Sequence, residues 1–197
     1  MPALDVATVE RLATEFFRGK QDSLSTLAAP YSIDELIRAF ENLRHAMWRI
    51  LNRLSEEQIA FSPDPNTYSL SEVVSHLIAS QGNTYNAFLD LANSTLPHVD
   101  PVPRNPGGGA EKGLTAVILQ QRLQKGSDDL VALLKQVYKG DDAKMVKHFL
   151  FGDLTYKGWI LFQVAHDLDH LKQAQVLRRS PGFPQGTLTT DPTPTKT

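Results

Sequence analysis

Apolar residues along this chain recur at spacings of three and four, and alternating runs never extend beyond a few residues. That periodicity predicts helices almost throughout. Val6, Val9, Leu12, Ala13, Phe16 and Phe17 mark a short amphipathic helix over about Asp5 to Arg18, interrupted afterwards by Gly19 and Pro30. From Ser32 to about Leu54 a long stripe follows: Ile33, Leu36, Ile37, Phe40, Leu43, Met47, Ile50, Leu51 and Leu54. Ser32 and Glu35 form a capping box at its start. At 1.5 Å per residue this helix is roughly 34 Å long, enough for one side of a bundle.

"SPDPNTY" ends that helix, because proline removes a backbone donor and disfavours helix in the residue before it. Ser69 and Glu72 make a second capping box and open a helix running to about Ala92. The loop "NSTLPHVDPVPRNPGGGAEKG" has four prolines and three consecutive glycines, and its length marks it as mobile or functional. A third long helix spans about Leu114 to Tyr138, with Val117, Leu119, Leu123, Leu130, Leu133, Leu134 and Val137 as its apolar positions and Gly140 beyond its end. "DDAKMVKHFLFGD" reads as a short irregular crossing with room for one helical turn. Thr155 then caps a fourth helix, about Tyr156 to Arg179. Four long amphipathic helices and one prolonged loop predict an all-α four-helix bundle over residues 32–179. Residues 1–31 supply an accessory N-terminal helix and linker. Residues 180–197, rich in proline and threonine, are expected to be a disordered tail outside any core.

Composition narrows the function classes. Hydrophobic residues make up 41% and charged residues 21% of 197, as in ordinary globular proteins. A formal charge of −2 gives no reason to expect nucleic acid or an anionic membrane as partner. With no cysteine, disulfides, thiolate nucleophiles and cysteine-based zinc sites are excluded. The N-terminus has early acidic residues and no uninterrupted apolar run, so it does not read as a signal peptide. No stretch approaches the roughly 18–20 apolar residues of a membrane span. The expectation is a cytoplasmic protein.

The fourth helix carries the chemistry. In "GWILFQVAHDLDHLKQAQVLRR", His166 and His170 lie about 40° apart on a helical wheel. Trp159, Phe162, Gln163, Gln173 and Leu177 share their side, and Ile160, Val164, Leu168 and Leu171 occupy much of the other. The helix is apolar on two faces, so both imidazoles point toward an interior or a cleft. Unsatisfied, each would cost about 1–3 kcal/mol. One divalent metal satisfies both, since imidazoles at i and i+4 reach a single ion. His76, between the core positions Val73 and Leu77 of the second long helix, offers a third imidazole across a bundle.

"LNRLSEEQIAFSPDPNTYSLSEVVSHLIASQ", followed about ninety residues later by "HDLDHLKQAQVLRR", resembles the DinB/YfiT-like superfamily over about Ser32 to Arg179. The resemblance implies a four-helix bundle, often dimeric, with one histidine on the second helix and an HxxxH pair on the fourth holding a divalent metal. Carried over, the ligands are His76, His166 and His170, the ion is zinc or nickel, and the chain is a homodimer acting on a small molecule. It also implies hydrolase-like or thiol-transferase-like chemistry. Three neutral imidazoles leave at least one coordination position open. The competing reading is a non-catalytic metal-binding or structural, stress-related bundle.

No catalytic residue is assigned. Glu72 precedes His76 by one turn but is accounted for by its capping box. Asp169 can orient an imidazole or pair with Lys172, and Asp167, on a flank, reads as solvated. Gln81, Tyr85 and Gln173 are candidates to line a pocket, with Tyr85 at core spacing. His45 faces away from its stripe and reads as solvated; His98, in the Pro/Gly-rich loop, could reach a site opening but reads as a surface residue; His148, after Lys147 in the irregular crossing, could be a fourth ligand or a surface group, and the surface reading is preferred.

Overall fold

The computed structural model describes residues 4–17, 19, 23–102 and 110–185. Its elements run α1 (Val6–Phe17), α2 (Leu24–Ala28), α3 (Ile33–Leu51), α4 (Glu56–Ala60), α5 (Leu70–Asn93), β1 (His98–Val99), α6 (Ala116–Val137), β2 (Met145–His148), β3 (Gly152–Leu154) and α7 (Tyr156–Leu177). Both expected capping boxes form: Ser32 with Glu35, and Ser69 with Glu72. The Thr155 side chain accepts from the Gly158 amide, capping α7. These reciprocal bonds satisfy amide donors that a helix start leaves unpaired.

The four long helices form a ring in which α3 packs on α6 and α7, and α5 packs on the same two. The pairs consecutive among them, α3 with α5 and α6 with α7, therefore lie across the diagonals. That explains the length of the connections. The chain from Leu51 to Leu70 carries α4, and the one from Val137 to Tyr156 carries β2 and β3. The apolar stripes meet inside, with Leu36, Phe40, Phe88, Leu119, Leu130, Leu134, Ile160 and Val164 fully buried. Val117, read as a core position, is 58% exposed. α1 and α2 pack on the outer side of α7.

The irregular crossing contains a β-hairpin in place of a helical turn. β2 pairs antiparallel with β3, and β1 adds parallel to β2 with His98 opposite Met145. Gly152 closes the turn at φ +73°, a conformation glycine adopts without steric penalty. Alternation along β2 turns Val146 and His148 inward and Lys147 outward. His148 is thus a buried residue, 3% exposed, and the expectation of a surface group is corrected.

The first residues of the tail are also ordered. Phe183 packs edge-on against Phe61 at 5.4 Å between centroids, and the Pro184 carbonyl accepts from Gln58 Nε2 at 2.8 Å. The rest of the expected disorder, 186–197, lies outside the described residues, as do 103–109 of the Pro/Gly-rich loop. Among the described residues no helix is long and apolar enough to cross a membrane.

Candidate metal centre

α5 delivers His76 and α7 delivers His166 and His170 to one point between the two helices. The Nε2 atom of His166 lies 3.2 Å from Nε2 of His76 and 3.2 Å from Nε2 of His170. The three rings are mutually tilted, with centroids 4.5–5.1 Å apart. All three side chains are half-buried. Among the described residues, no aspartate, glutamate or further histidine joins this group.

Hydrogen bonding fixes part of the protonation pattern. The amide oxygen of Gln173 can only accept, so His170 donates to it through Nδ1, at 2.8 Å. A neutral His170 then presents a bare lone pair at Nε2. One proton on His166 Nε2 or His76 Nε2 cannot turn both 3.2 Å contacts into good hydrogen bonds. His166 Nδ1, meanwhile, is buried without a partner. The histidines do not satisfy one another.

Electrostatics also favour neutral imidazoles. Burial, and then the neighbouring imidazoles His170 and His76, push His166 down to about 3. Burial, and then His170, lower His76 from its ordinary value. Both rings therefore hold lone pairs rather than charges near pH 7. The fit to a cation is direct. Imidazole nitrogens about 2.0–2.1 Å from a tetrahedral zinc ion stand roughly 3.3–3.4 Å from one another, close to the two 3.2 Å separations here.

A buried polar chain secures α7 one residue from His166. Arg44 of α3 donates through Nε and Nη2 to the two carboxylate oxygens of Asp167, the second bond at 2.9 Å. Gln163 Nε2 donates to the same carboxylate at 2.8 Å, and Thr84 of α5 donates to Gln163 Oε1 at 2.9 Å. Asp167 is 2% exposed, so its reading as a solvated flank residue is corrected. The flank that looked free on an isolated helix faces α3. Burial raises the Asp167 carboxyl from its ordinary value, against the opposing pull of Arg44. Sequence reasoning missed Arg44 altogether. Its signal was a guanidinium one turn from Phe40 and from Met47, within the apolar stripe.

Behind Phe162 lies an aromatic cluster around His148. Its ring stacks at 4.6 Å on both Phe149 and Phe151 and tilts against Trp159 and Phe162. Its Nδ1 accepts from the amides of Leu150 and Phe151, which holds the hairpin turn, and burial pushes it down to about 4.

A cleft of about 530 Å³ reaches His166 between α7 and α1. Phe162, Ala165 and Leu168 line it from α7, Ala13 and Thr14 from α1, and Phe151 from the hairpin. Asp169 also opens onto it, and Lys172 there pairs with Glu10 of α1 at 2.9 Å, so the expected pairing of Lys172 with Asp169 is replaced.

The other candidates sort plainly. Glu72 Oε2 accepts from the Ser69 amide and hydroxyl at 2.9 and 2.8 Å, as its capping role requires. Although burial alone would raise it, those bonds leave Glu72 below its ordinary value. Gln81 is buried and presses its Nε2 against Gly126, where an added Cβ would stand 2.5 Å away. Tyr85 packs against the core. His45 is exposed, and His98, 62% exposed, meets Asp153 at 3.2 Å.

Comparison with known proteins agrees with this architecture. No curated protein matched the chain by sequence. A solved structure of YfiT from Bacillus subtilis superposes with a TM-score of 0.61 at 18% identity, covering 74% of this chain and 85% of that one. YfiT is described as a probable metal-dependent hydrolase with an unusual four-helix bundle topology. Residues 39–174 match the DinB superfamily, and with its ring of four helices the chain belongs to that family.

Proposed function

We propose that this protein is a metal-dependent enzyme that holds one divalent transition ion, zinc or nickel, on His76, His166 and His170. The observation that carries this reading is the convergence of three Nε2 atoms, two pairs of them at 3.2 Å, with no mutual hydrogen bonding that satisfies all three. The ion would supply Lewis-acid chemistry, either hydrolytic or in transfer to a thiol. The chain's own residues prepare the place. Gln173 fixes the His170 ring, and the Arg44–Asp167–Gln163–Thr84 chain fixes the rotation of α7. Burial lowers the proton affinity of His166 and His76, and the cleft beside His166 gives a small molecule a way in. The description of YfiT supports the hydrolase form of the proposal. A non-catalytic module closed by a fourth protein ligand gains no support among the described residues, where the cluster has three members.

The test is elemental analysis of untagged protein beside a His166→Ala variant, each as purified and after reloading with zinc or nickel. About one equivalent in the wild type, absent from the variant, is the expected result. A wild type that takes up neither ion overturns the proposal.

A further inference from the structure

The cleft has a charge pattern that the metal centre does not explain. Its walls come from two sources. Phe151, Phe162, Ala165 and Asp169 belong to the region matching the DinB superfamily, whereas Glu10, Ala13 and Leu24 precede it. The volume, about 530 Å³, falls within the roughly 300–1,000 Å³ of small-molecule sites. Ala13, Leu24, Phe151, Phe162, Ala165 and Leu168 make most of the lining apolar, which favours a ligand with an aromatic or aliphatic body. At the rim stand two carboxylates and one ammonium. The ammonium, Lys172, is committed to Glu10 at 2.9 Å, which leaves the Asp169 carboxylate as the excess charge.

We propose that this cleft is the enzyme's small-molecule site, and that it selects a ligand with an apolar body and a cationic amine seated against Asp169, with α1 as the wall that sets its width. In the reading above, the ligand's reacting group would point along His166 toward the triad. The proposal rests on that reading for its place in catalysis, but its test rests on binding alone. An anionic ligand of the same shape meets the like charge of Asp169 at the rim. A helix that precedes the residues matching the family would thereby shape what reaches the site.

The probes are 4-phenylbutylamine and 4-phenylbutyrate, similar in shape and opposite in charge. Binding to the full chain is followed by amide chemical shifts in two-dimensional NMR, with chelator present so that the carboxylate cannot coordinate a metal. The amine is expected to shift residues of α1, α7 and the hairpin, and to bind at least fivefold more tightly than the acid. Asp169→Lys, an exposed substitution, is expected to reverse that preference. Ala13→Trp, which fills the cleft from α1, is expected to abolish binding of both. Equal binding of the two probes, shifts confined to another surface, no binding at all, or a preference unmoved by Asp169→Lys would overturn the proposal. Metal content measured in parallel without chelator separates this failure from failure of the metal reading, since an empty cleft with a loaded triad, or the reverse, is directly visible.

Discussion

α7 and α1 lie side by side, yet they are built on opposite plans. α7 is buried on nearly all sides, from Tyr156 and Trp159 through Val164 and Leu168 to Leu177, and it packs on α1, α2, α3 and α5. Among its described side chains α1 commits Val9 and Leu12 to full burial, packs Phe16 edge-on against Phe151, and turns Ala13 and Thr14 to the cleft. The difference matches what each contributes. Histidines that must meet within a few tenths of an ångström are placed on an element whose rotation is fixed from every direction. A wall that shapes a cleft can be held by one stripe. Substitutions in α7 should therefore cost stability and metal together, while those in α1 should change ligand binding with the fold intact.

The largest expected effect falls on the buried pair beside His166. Asp167→Ala leaves the Arg44 guanidinium, 4% exposed, without its carboxylate, and breaking such a pair costs about 3–5 kcal/mol. Folding stabilities of about 5–15 kcal/mol make that a large fraction of the total. Urea titration should show the loss, and the double variant Arg44→Met/Asp167→Leu should recover much of it, because a buried ion pair replaced by apolar groups is often neutral. If the single variant loses less than about 1 kcal/mol, α7 is not held in the way described, and the contrast with α1 collapses.

A second test concerns acid. The buried imidazole of His148 has its proton affinity lowered to about 4 in the fold, against about 6.5 in the unfolded chain. Between those values the unfolded chain binds more protons, so stability rises with pH. The contribution is fully present above about pH 6.5, is lost as pH falls toward 4, and amounts to about 3 kcal/mol. His148→Asn keeps an acceptor near the Leu150 and Phe151 amides while removing the titration. It should lower stability at pH 7 through lost ring packing, yet flatten the decline from pH 6.5 to 4. An unchanged slope would mean that the hairpin contributes nothing to the acid sensitivity of the site's surroundings.

These two tests touch residues that local sequence could not place. The long helices were legible because their apolar stripes repeat over many turns, and Ser32, Ser69 and Thr155 announced their starts. Helical spacing put His166 and His170 on one face and made His76 feasible as a third partner across a bundle, but the set of three came from the resemblance to the DinB/YfiT-like superfamily. Arg44 and Asp167 are 123 positions apart, and nothing within a turn of either reveals the other. On its own helix Asp167 reads as a solvated flank. The hairpin was hidden because β2 alternates for only four residues, too few to stand out from the background of helical spacing. The cleft exists only through the docking of α1 on α7, a tertiary fact with no periodicity of its own.

The smallest expected effect is the one that would most sharpen the contrast. Glu10 and Lys172 join α1 to α7 at 2.9 Å, which invites reading the pair as the latch that holds α1 in place. Energetics argue otherwise. Both side chains are about half exposed, 44% and 51%, and solvated pairs of this kind contribute about 0–1 kcal/mol, less in salt. Leu12, at 4% exposure, has far more to lose on detachment, since burying a leucine side chain is worth about 1.5–3 kcal/mol. Glu10→Gln should therefore leave the unfolding free energy from urea titration within about 0.5 kcal/mol of wild type, leave the metal stoichiometry untouched, and leave α1 amides as protected from hydrogen exchange as before. Leu12→Ala should expose those amides while α7 stays protected. Were Glu10→Gln to release α1 instead, the wall of the cleft would be an electrostatic gate opened by ionic strength, and ligand entry would depend on salt in a way that an apolar hinge does not permit.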